Sequence, residues 1–188
     1  MTTTTQQYSG YLLVANPANP SSDVSHGVIL VVSHKNGRAV GIQINNAINN
    51  MDIRGVAENL GMDYHGPISP VYHGGAMNHA RIHIVHSSDW QGSTTVPITS
   101  EISMTADISI LSAIAAGEGP RSFRACAGYC LWENHGLERQ LDSRSYPDEI
   151  VKWEVVPATT ELVFDCEGHE QWQLALTESA LFSAAHWF

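Results

Sequence analysis

A β-hairpin pattern in residues 26–46 constrains the fold of this chain more than any other stretch. Residues 28–32 are five consecutive apolar residues, which suits a strand that is buried on both faces. Asn36-Gly37 follows, and both residue types tolerate the positive φ angles of a type I′ turn. Residues 39–44 then return with an apolar side chain at alternate positions. The pattern predicts the central hairpin of a sheet.

The remainder of the chain carries patterns of both helices and strands. Strands are expected at residues 11–15, 71–75, 80–86, 123–131, 153–156 and 162–164, with one or two more within 96–104. Helices are expected at residues 51–62, 107–116, 135–144 and 170–182. For the second of these helices, Thr105 is the expected N-cap and Gly117 the expected stop. The two types alternate irregularly, which favours an α+β fold over a regular βαβ series.

The length of 188 residues fits one domain that spans residues 1–188, with a flexible, Thr-rich start over residues 1–8. The start has neither the basic region nor the apolar core of a signal peptide. No apolar run approaches the roughly 20 residues that cross a bilayer, so we expect no membrane association. The three cysteines, an odd number, are expected to be free thiols in a cytoplasmic protein.

The charge balance is strongly acidic, with nine basic residues against nineteen acidic ones and a formal net charge of -10. An acidic surface repels phosphate backbones, which disfavours direct nucleic-acid binding. No helix-turn-helix pattern is identifiable either. High solubility is the simpler explanation of the charge.

The ten histidines raise the question of a metal site. His79, His83 and His86 lie close together, but His83 and His86 are three residues apart on a predicted strand and point to opposite faces. No HExxH motif and no convincing two-His-one-carboxylate spacing is present. We therefore predict no metal site and no cofactor.

The nucleophilic residues do not form a recognised catalytic set. Cys126 and Cys130 are four residues apart in a predicted strand, too far for a disulfide. A reactive thiol needs a basic neighbour, and only Arg124 is close in sequence. Ser87 follows His86, but no GxSxG elbow surrounds it. The sequence does not decide whether the protein is an enzyme, but the lack of a recognised catalytic set argues against it.

Two local features have both a structural and a functional interpretation. Gly74-Gly75 would let a ligand approach the backbone, although a tight turn is the commoner reason for paired glycines. Trp132 precedes a loop that leads to Gly136 and a helix, so it would either wall a groove or fill the core. Core packing is the favoured interpretation of Trp132.

A series of short motifs gives the most specific information about the family. The motifs are LLVANP (12–17), HKNG (34–37), GIQIN (41–45), VYHGG (71–75), VHS (85–87), the segment 107–117, Gly128-Tyr129 with Trp132, and GLE (136–138). In this order, over nearly the whole chain, the sequence resembles the YqgE/AlgH family of bacterial proteins. Asn46 and Ala76 stand where that family usually has proline, and the family's glutamine before Leu137 is missing.

The resemblance implies a mixed, forked sheet that curls into a pseudo-barrel with flanking helices, in a cytoplasmic protein without a known cofactor. We predict a non-enzymatic binding or regulatory protein with a protein partner. The candidate ligand or partner residues are His34, Asn36, Gly74, Gly75, Trp132 and Gly136. One alternative is a small-molecule binder or enzyme with its site near the His34–Gly37 turn and Gly74-Gly75. The other is a transcriptional regulator, as some family members are labelled, and the acidic charge disfavours it.

Overall fold

The computed structural model of this chain describes residues 7–19, 25–142, 144–148 and 150–185. The strands are β1 (Tyr11–Ala15), β2 (Val28–Lys35), β3 (Arg38–Gln43), β4 (Ala47–Asp52), β5 (Pro70–His73), β6 (Met77–Ser87), β7 (Val96–Pro97), β8 (Ile102–Thr105), β9 (Phe123–Trp132) and β10 (Trp153–Pro157). The helices are α1 (Ile53–Asn59), α2 (Ile108–Ala116), α3 (Gly136–Leu141), α4 (Thr160–Phe164) and α5 (Gly168–Ala185).

The predicted hairpin is confirmed as β2 and β3, which pair antiparallel with Lys35 opposite Arg38. Asn36 and Gly37 form the turn with φ angles of 53° and 71°, as a type I′ turn requires. The residues of β2 up to Val32 are buried, because β1 and β3 pair on its two sides. The hairpin therefore holds the central position that its apolar run predicts.

The sheet forks at β9. One edge of β9 pairs with β6. The other edge is shared: residues 125–127 pair with β5 in parallel, and residues 130–132 pair with β3 antiparallel. Gly128 lies between these two halves with φ 82°, a left-handed conformation that glycine adopts without steric cost. The main path of the sheet runs β10-β1-β2-β3-β9-β6-β8-β7, with β4 and β5 on the branch.

The sheet is strongly curled into a half-barrel with flanking helices, so the α+β prediction is confirmed. Two groups of buried apolar side chains hold it together. The larger group fills the half-barrel around β1, β2 and β3 and extends to Trp172 and Ala175 of α5. The smaller group joins α1 and α2 to β5, β6 and the first half of β9. Burial of these two faces supplies the main driving force for the fold.

Two expected elements differ from the structure. Residues 162–164 were expected as a strand and belong instead to helix α4, where Thr159 Oγ1 accepts a hydrogen bond from the Leu162 N–H as N-cap. A short apolar run does not distinguish a buried strand from a buried helical turn. The N-cap of α2 is Asp107 rather than Thr105. β4 was not expected, because its polar, mostly exposed residues do not alternate.

Two further expectations concern the start of the chain and membrane association. Residues 1–6 of the expected flexible start lie outside the described residues, whereas Tyr8 is half buried and its N–H bonds to His34. Among the described residues, no helix has the length and apolar character that crossing a bilayer requires.

Candidate functional site

His34 lies at the end of β2 and is only 2% exposed. The Tyr8 backbone N–H donates to His34 Nδ1 at 3.3 Å, so Nδ1 is an acceptor and Nε2 carries the proton. His34 Nε2 then donates to Glu138 Oε1 at 3.1 Å. The imidazole therefore joins three separate parts of the chain, namely the N-terminal segment, the hairpin and α3.

Glu138 lies in the first turn of α3 and holds two histidines through one oxygen. Its Oε1 accepts from His34 Nε2 and from His135 Nδ1, each at 3.1 Å. Its Oε2 is buried and has no hydrogen-bond partner among the described residues. Burial alone would raise the pKa of Glu138, but the hydrogen bonds from its own N–H, His135 and His34 together lower it. The carboxylate is therefore ionised at neutral pH and binds both rings.

The loop before α3 has an unusual backbone conformation. Asn134 and His135 have φ angles of 52° and 60°, a left-handed conformation that costs roughly 1–2 kcal/mol per non-glycine residue. Two contacts hold it: the His135 N–H donates to the Gly37 carbonyl at 2.8 Å, and the His135 ring bonds to Glu138. A Cβ at Gly37 would lie 2.6 Å from His135 Nε2. Only glycine at this position lets the loop approach the turn so closely.

The turn and the loop together present a set of exposed polar side chains above this buried support. We call these residues the turn–loop patch: Lys35, Asn36, Glu133, Asn134 and His135. An exposed ion pair between Arg38 Nε and Glu133 Oε1, at 3.8 Å, bridges the two segments at one side. Such exposed pairs contribute little to stability, so the buried contacts below fix the patch.

Trp132 and Gly136 flank the patch on its inner side. Trp132 is half buried against the larger core group, so it lies at the edge of the core that it was expected to fill. A Cβ at Gly136 would meet Trp132 at 3.7 Å, an ordinary contact. The close approach of this helix to the tryptophan therefore does not require glycine at position 136.

Gln140 was missed by the sequence analysis, and its side chain connects two tryptophans. Its Oε1 accepts from Trp132 Nε1 at 2.9 Å and from Trp153 Nε1 at 2.8 Å. One amide oxygen thus binds α3 to β9 and β10. No motif marks the residue, because its two partners lie on different strands, β9 and β10, and only the fold brings them together.

Gly74 and Gly75 lie at the fork of the sheet. A Cβ at Gly74 would be 2.2 Å from the Gly128 carbonyl oxygen, and one at Gly75 would be 2.2 Å from the Tyr129 carbonyl carbon. The Gly74 carbonyl also accepts from the Gln43 N–H at 2.8 Å. The paired glycines thus allow close backbone packing, and their contacts are with β9 and Gln43 rather than with the turn–loop patch.

An open cleft of about 520 Å³ adjoins Glu138. Tyr8, Tyr146, Leu141 and Asp142 supply most of its wall. Burial and the nearby charge of Glu138 raise the pKa of Tyr8. His135 and Arg139 line it as well, so the cleft combines aromatic faces with side chains of both charges.

The cysteines are all within the described residues and all are free, as predicted. Burial raises the pKa of Cys126 to about 12 and that of Cys130 to about 11, and it also raises the pKa of Cys166. The described part of the chain contains no group of three or more His, Cys, Asp or Glu side chains arranged to hold a metal ion.

Comparison with known proteins identifies the family. A model of the AlgH-like family matches residues 12–181. The chain belongs to the AlgH-like family. It is 31% identical over 182 residues to a UPF0301 protein from Sphingopyxis alaskensis, which covers 96% of this chain and 94% of the relative. A second UPF0301 protein, from Gluconobacter oxydans, is 31% identical over 171 residues and covers 89% and 88%.

Solved structures agree with this AlgH-like assignment. The solution structure of the AlgH protein from Pseudomonas aeruginosa superimposes with a TM-score of 0.73 at 26% identity, covering 95% of this chain and 92% of that one. A crystal structure from Corynebacterium diphtheriae gives a TM-score of 0.67 at 17% identity, covering 89% and 84%, and shows the fold alone. The resemblance inferred from the order of motifs is therefore confirmed.

Proposed function

We propose that this AlgH-like protein is a non-enzymatic binding or regulatory protein that contacts a protein partner through the turn–loop patch. The observation that carries the proposal is that the patch is exposed while the residues directly beneath it are fixed by hydrogen bonds. A surface whose loops are already ordered binds with a smaller entropic cost. Loops held on a rigid frame are also the usual location of binding residues.

The support beneath the patch explains how its conformation persists. The left-handed backbone of Asn134 and His135 is unfavourable by itself. Strained conformations of this kind persist where the surroundings over-determine them, and they concentrate at functional sites. Here the Gly37 carbonyl and the Glu138 carboxylate hold His135 from two directions.

The predicted residues take different roles in this proposal. Asn36 belongs to the patch, and His34 supports it from below through Glu138. Trp132 holds α3 through its bond to Gln140, and Gly136 is the first residue of that helix, which carries Glu138. Gly74 and Gly75 are assigned to the fork of the sheet and not to the binding surface.

The state of the thiols favours binding over thiol-based catalysis. A nucleophilic cysteine needs a lowered pKa, and burial raises the pKa of Cys126, Cys130 and Cys166 instead. All three are thus protonated near neutral pH. A cytoplasmic location, where thiols stay reduced, remains our prediction for this protein.

Affinity capture with matched variants tests the proposed partner site. Lys35→Ala combined with Glu133→Ala removes one cation and one anion from the patch without touching its support. The control combines Arg54→Ala with Glu58→Ala, which removes the same charges from the exposed face of α1. Each immobilised protein is incubated with native lysate at several salt concentrations, and retained proteins are quantified by mass spectrometry.

We expect a protein that the wild type and the α1 control retain and that the patch variant loses. Equal retention by all three proteins would place the contact elsewhere. Retention of no protein by the wild type at any salt concentration would count against a protein partner altogether. Melting curves of the variants check that all three are folded.

A small-molecule binder is the second candidate, and the cleft beside Glu138 favours it. Tyr8 and Tyr146 would suit an aromatic compound, and Glu138, Asp142 and Arg139 offer charges of both signs to its polar groups. A ligand at 100 times its dissociation constant stabilises a protein by roughly 2.7 kcal/mol. Thermal-shift screening with nucleotides, amines and organic acids measures this, and a flat response over the library would exclude the candidate.

Direct nucleic-acid binding is not part of the proposal, because a net charge of -10 opposes contact with phosphate backbones. A mobility-shift assay at low salt is the most sensitive test, because electrostatic binding is strongest there. A shift that disappears as salt is added would require a basic surface that we do not expect.

A further inference from the structure

A second cleft, of about 420 Å³, opens on the surface of the sheet. It lies across β3, β9, β6 and β8, and Arg38, which lines it, also pairs with Glu133 of the turn–loop patch at 3.8 Å. Its volume falls in the range of roughly 300–1,000 Å³ that is typical of small-molecule sites. No part of the proposed partner site depends on this cleft.

The floor of this second cleft is apolar. Alternation along β3 places Val40 and Ile42 on the same face as Arg38. Met104 of β8 and Tyr129 of β9 continue the apolar surface. The same side chains pack against the larger core group on their other sides, so the floor is rigid.

Two arginines line the cleft, although the protein as a whole is strongly acidic. Arg38 extends from β3 and Arg81 from β6, so that the two are carried by different strands. They are two of only nine basic residues in the chain. Arg81 makes a long hydrogen bond to the Ala106 carbonyl, at 3.5 Å, and most of its donors face solvent.

Asp107 is the carboxylate that lines the cleft, and it is already engaged. As N-cap of α2 it accepts from the Ser109 N–H at 2.8 Å. It also accepts hydrogen bonds from the Thr94 and Ser109 hydroxyls. These bonds hold the pKa of Asp107 below its usual value. Arg38 is paired as well, with the exposed Glu133 at 3.8 Å, but an exposed pair of this kind is weak. Arg38 and Arg81 therefore stay available to one ligand carboxylate.

His83 contributes a buried imidazole to the lining of the cleft. It lines the cleft from β6, is 8% exposed and packs edge-on against Tyr129. Among the described residues, nothing bonds to its Nδ1. This nitrogen has no solvent-accessible surface, so His83 contributes ring contact to the cleft rather than a hydrogen bond to a ligand.

We infer that this cleft binds a small amphipathic carboxylate. The alkyl or aryl body of the ligand lies on Val40, Ile42, Met104 and Tyr129. The carboxylate lies between Arg38 and Arg81, where a guanidinium binds it through two parallel hydrogen bonds.

Octanoate is the first probe, because it combines an apolar body with one carboxylate. Calorimetric titration of the full chain compares octanoate with octanol, which lacks the charge, and with acetate, which lacks the body. We expect octanoate to bind at least about tenfold more tightly than either control, a ratio that corresponds to one charge-assisted contact. NMR shift changes on octanoate addition are expected in residues 38–42, 81–83, 104 and 129.

Matched arginine variants locate the charge that binds the ligand. Arg81→Gln keeps most of the side-chain length but removes the cation, and we expect it to weaken octanoate binding about tenfold. Arg54→Gln, on α1, removes the same charge outside the cleft and should leave binding unchanged.

Three results would overturn the inference. Octanol that binds as tightly as octanoate would show that the arginines contribute nothing. Equal affinities in Arg81→Gln and Arg54→Gln would place any binding elsewhere. Shift changes confined to residues 135–146 would assign the acid to the cleft beside Glu138.

Discussion

Gln140 shows how much a single side chain contributes at the junction of α3 with the sheet. Its amide oxygen accepts the indole N–H groups of both Trp132 and Trp153. Neither tryptophan has another hydrogen-bond donor in its side chain. Loss of the acceptor therefore leaves two partly buried donors without a partner.

We predict that Gln140→Leu lowers the free energy of unfolding by about 2–6 kcal/mol, because each of the two donors left without a partner costs roughly 1–3 kcal/mol. Gln140→Glu should cost much less, since a carboxylate still accepts both bonds. Urea unfolding measures the change, with Gln173→Leu on the exposed face of α5 as the control. Equal stabilities of Gln140→Leu and Gln173→Leu would show that the bridge contributes nothing.

Gly37 has both a left-handed backbone and a close neighbour, and a comparison with Gly61 separates the two effects. Gly37 has φ 71° and Gly61 has φ 76°, so Gly→Ala carries the same left-handed cost of roughly 1–2 kcal/mol at both positions. A Cβ at Gly37 also lies 2.6 Å from the His135 ring, whereas within the described chain a Cβ at Gly61 meets nothing within 4 Å.

We predict that Gly37→Ala displaces the His135 ring from Glu138 and that Gly61→Ala leaves it in place. The imidazole resonances of His135, followed by NMR at neutral pH, report the contact directly. Unchanged resonances in Gly37→Ala would mean that the turn and the loop are less closely packed than the structure indicates.

The fork is the feature of the β-sheet that depends most on backbone packing. β5 and β3 share one edge of β9 only because Gly74, Gly75 and Gly128 allow the chains to approach closely. Gly74 has no side chain where the Gly128 carbonyl passes, and a Cβ there would be 2.2 Å from that oxygen. The backbone on both sides is fixed by strand pairing, so neither partner can move away cheaply.

We therefore predict that Gly74→Ala lowers stability by about 3 kcal/mol or more, within the range of severe overpacking. Gly55→Ala is the matched control, because its Cβ would meet only Asp52 Oδ1, at an ordinary 3.6 Å. Since Gly55 lies in α1, alanine there should be neutral or stabilising by about 0.5–1 kcal/mol. Comparable unfolding curves for the two variants would contradict this account of the fork.

The helices and strands that the sequence analysis predicted correctly are those with a clear local sequence pattern. β2, β3 and α2 combine strong periodicity with a turn or a C-terminal glycine. α4 was misassigned because three apolar residues fit either structure, and Thr159 as cap decides the outcome. β4 has no local pattern and exists because it pairs with β5.

At the scale of the whole molecule, two buried histidines link stability to pH. His86 is fully buried, with Nε2 bonded to Thr105 Oγ1 at 3.0 Å, and His83 is 8% exposed. Burial lowers the pKa of both, and Arg81 lowers that of His83 further. The folded protein therefore binds protons at these sites less readily than the unfolded chain, whose histidines have a pKa of about 6.5.

The stability contributed by the neutral histidines is fully present above about pH 6.5 and is lost as the pH falls through the lowered pKa values. We predict that the melting temperature falls between pH 7.5 and pH 5.5. His86→Gln should melt lower at pH 7.5 but decline less on acidification. His79→Gln, at an exposed position, should keep the wild-type dependence. A pH-independent melting temperature in the wild type would refute the prediction.

The sequence by itself determined the central hairpin, the mixed fold class and the family, because these rest on local periodicity, turn chemistry and the order of motifs. It also identified His34, Asn36, Trp132 and Gly136, which lie at one junction. Only the tertiary structure decided that Glu138 and Gln140 join the separate segments there, and that Gly74 and Gly75 serve the fork. The reason is physical: hydrogen bonds and close backbone approaches between residues far apart in sequence leave no periodic trace in it.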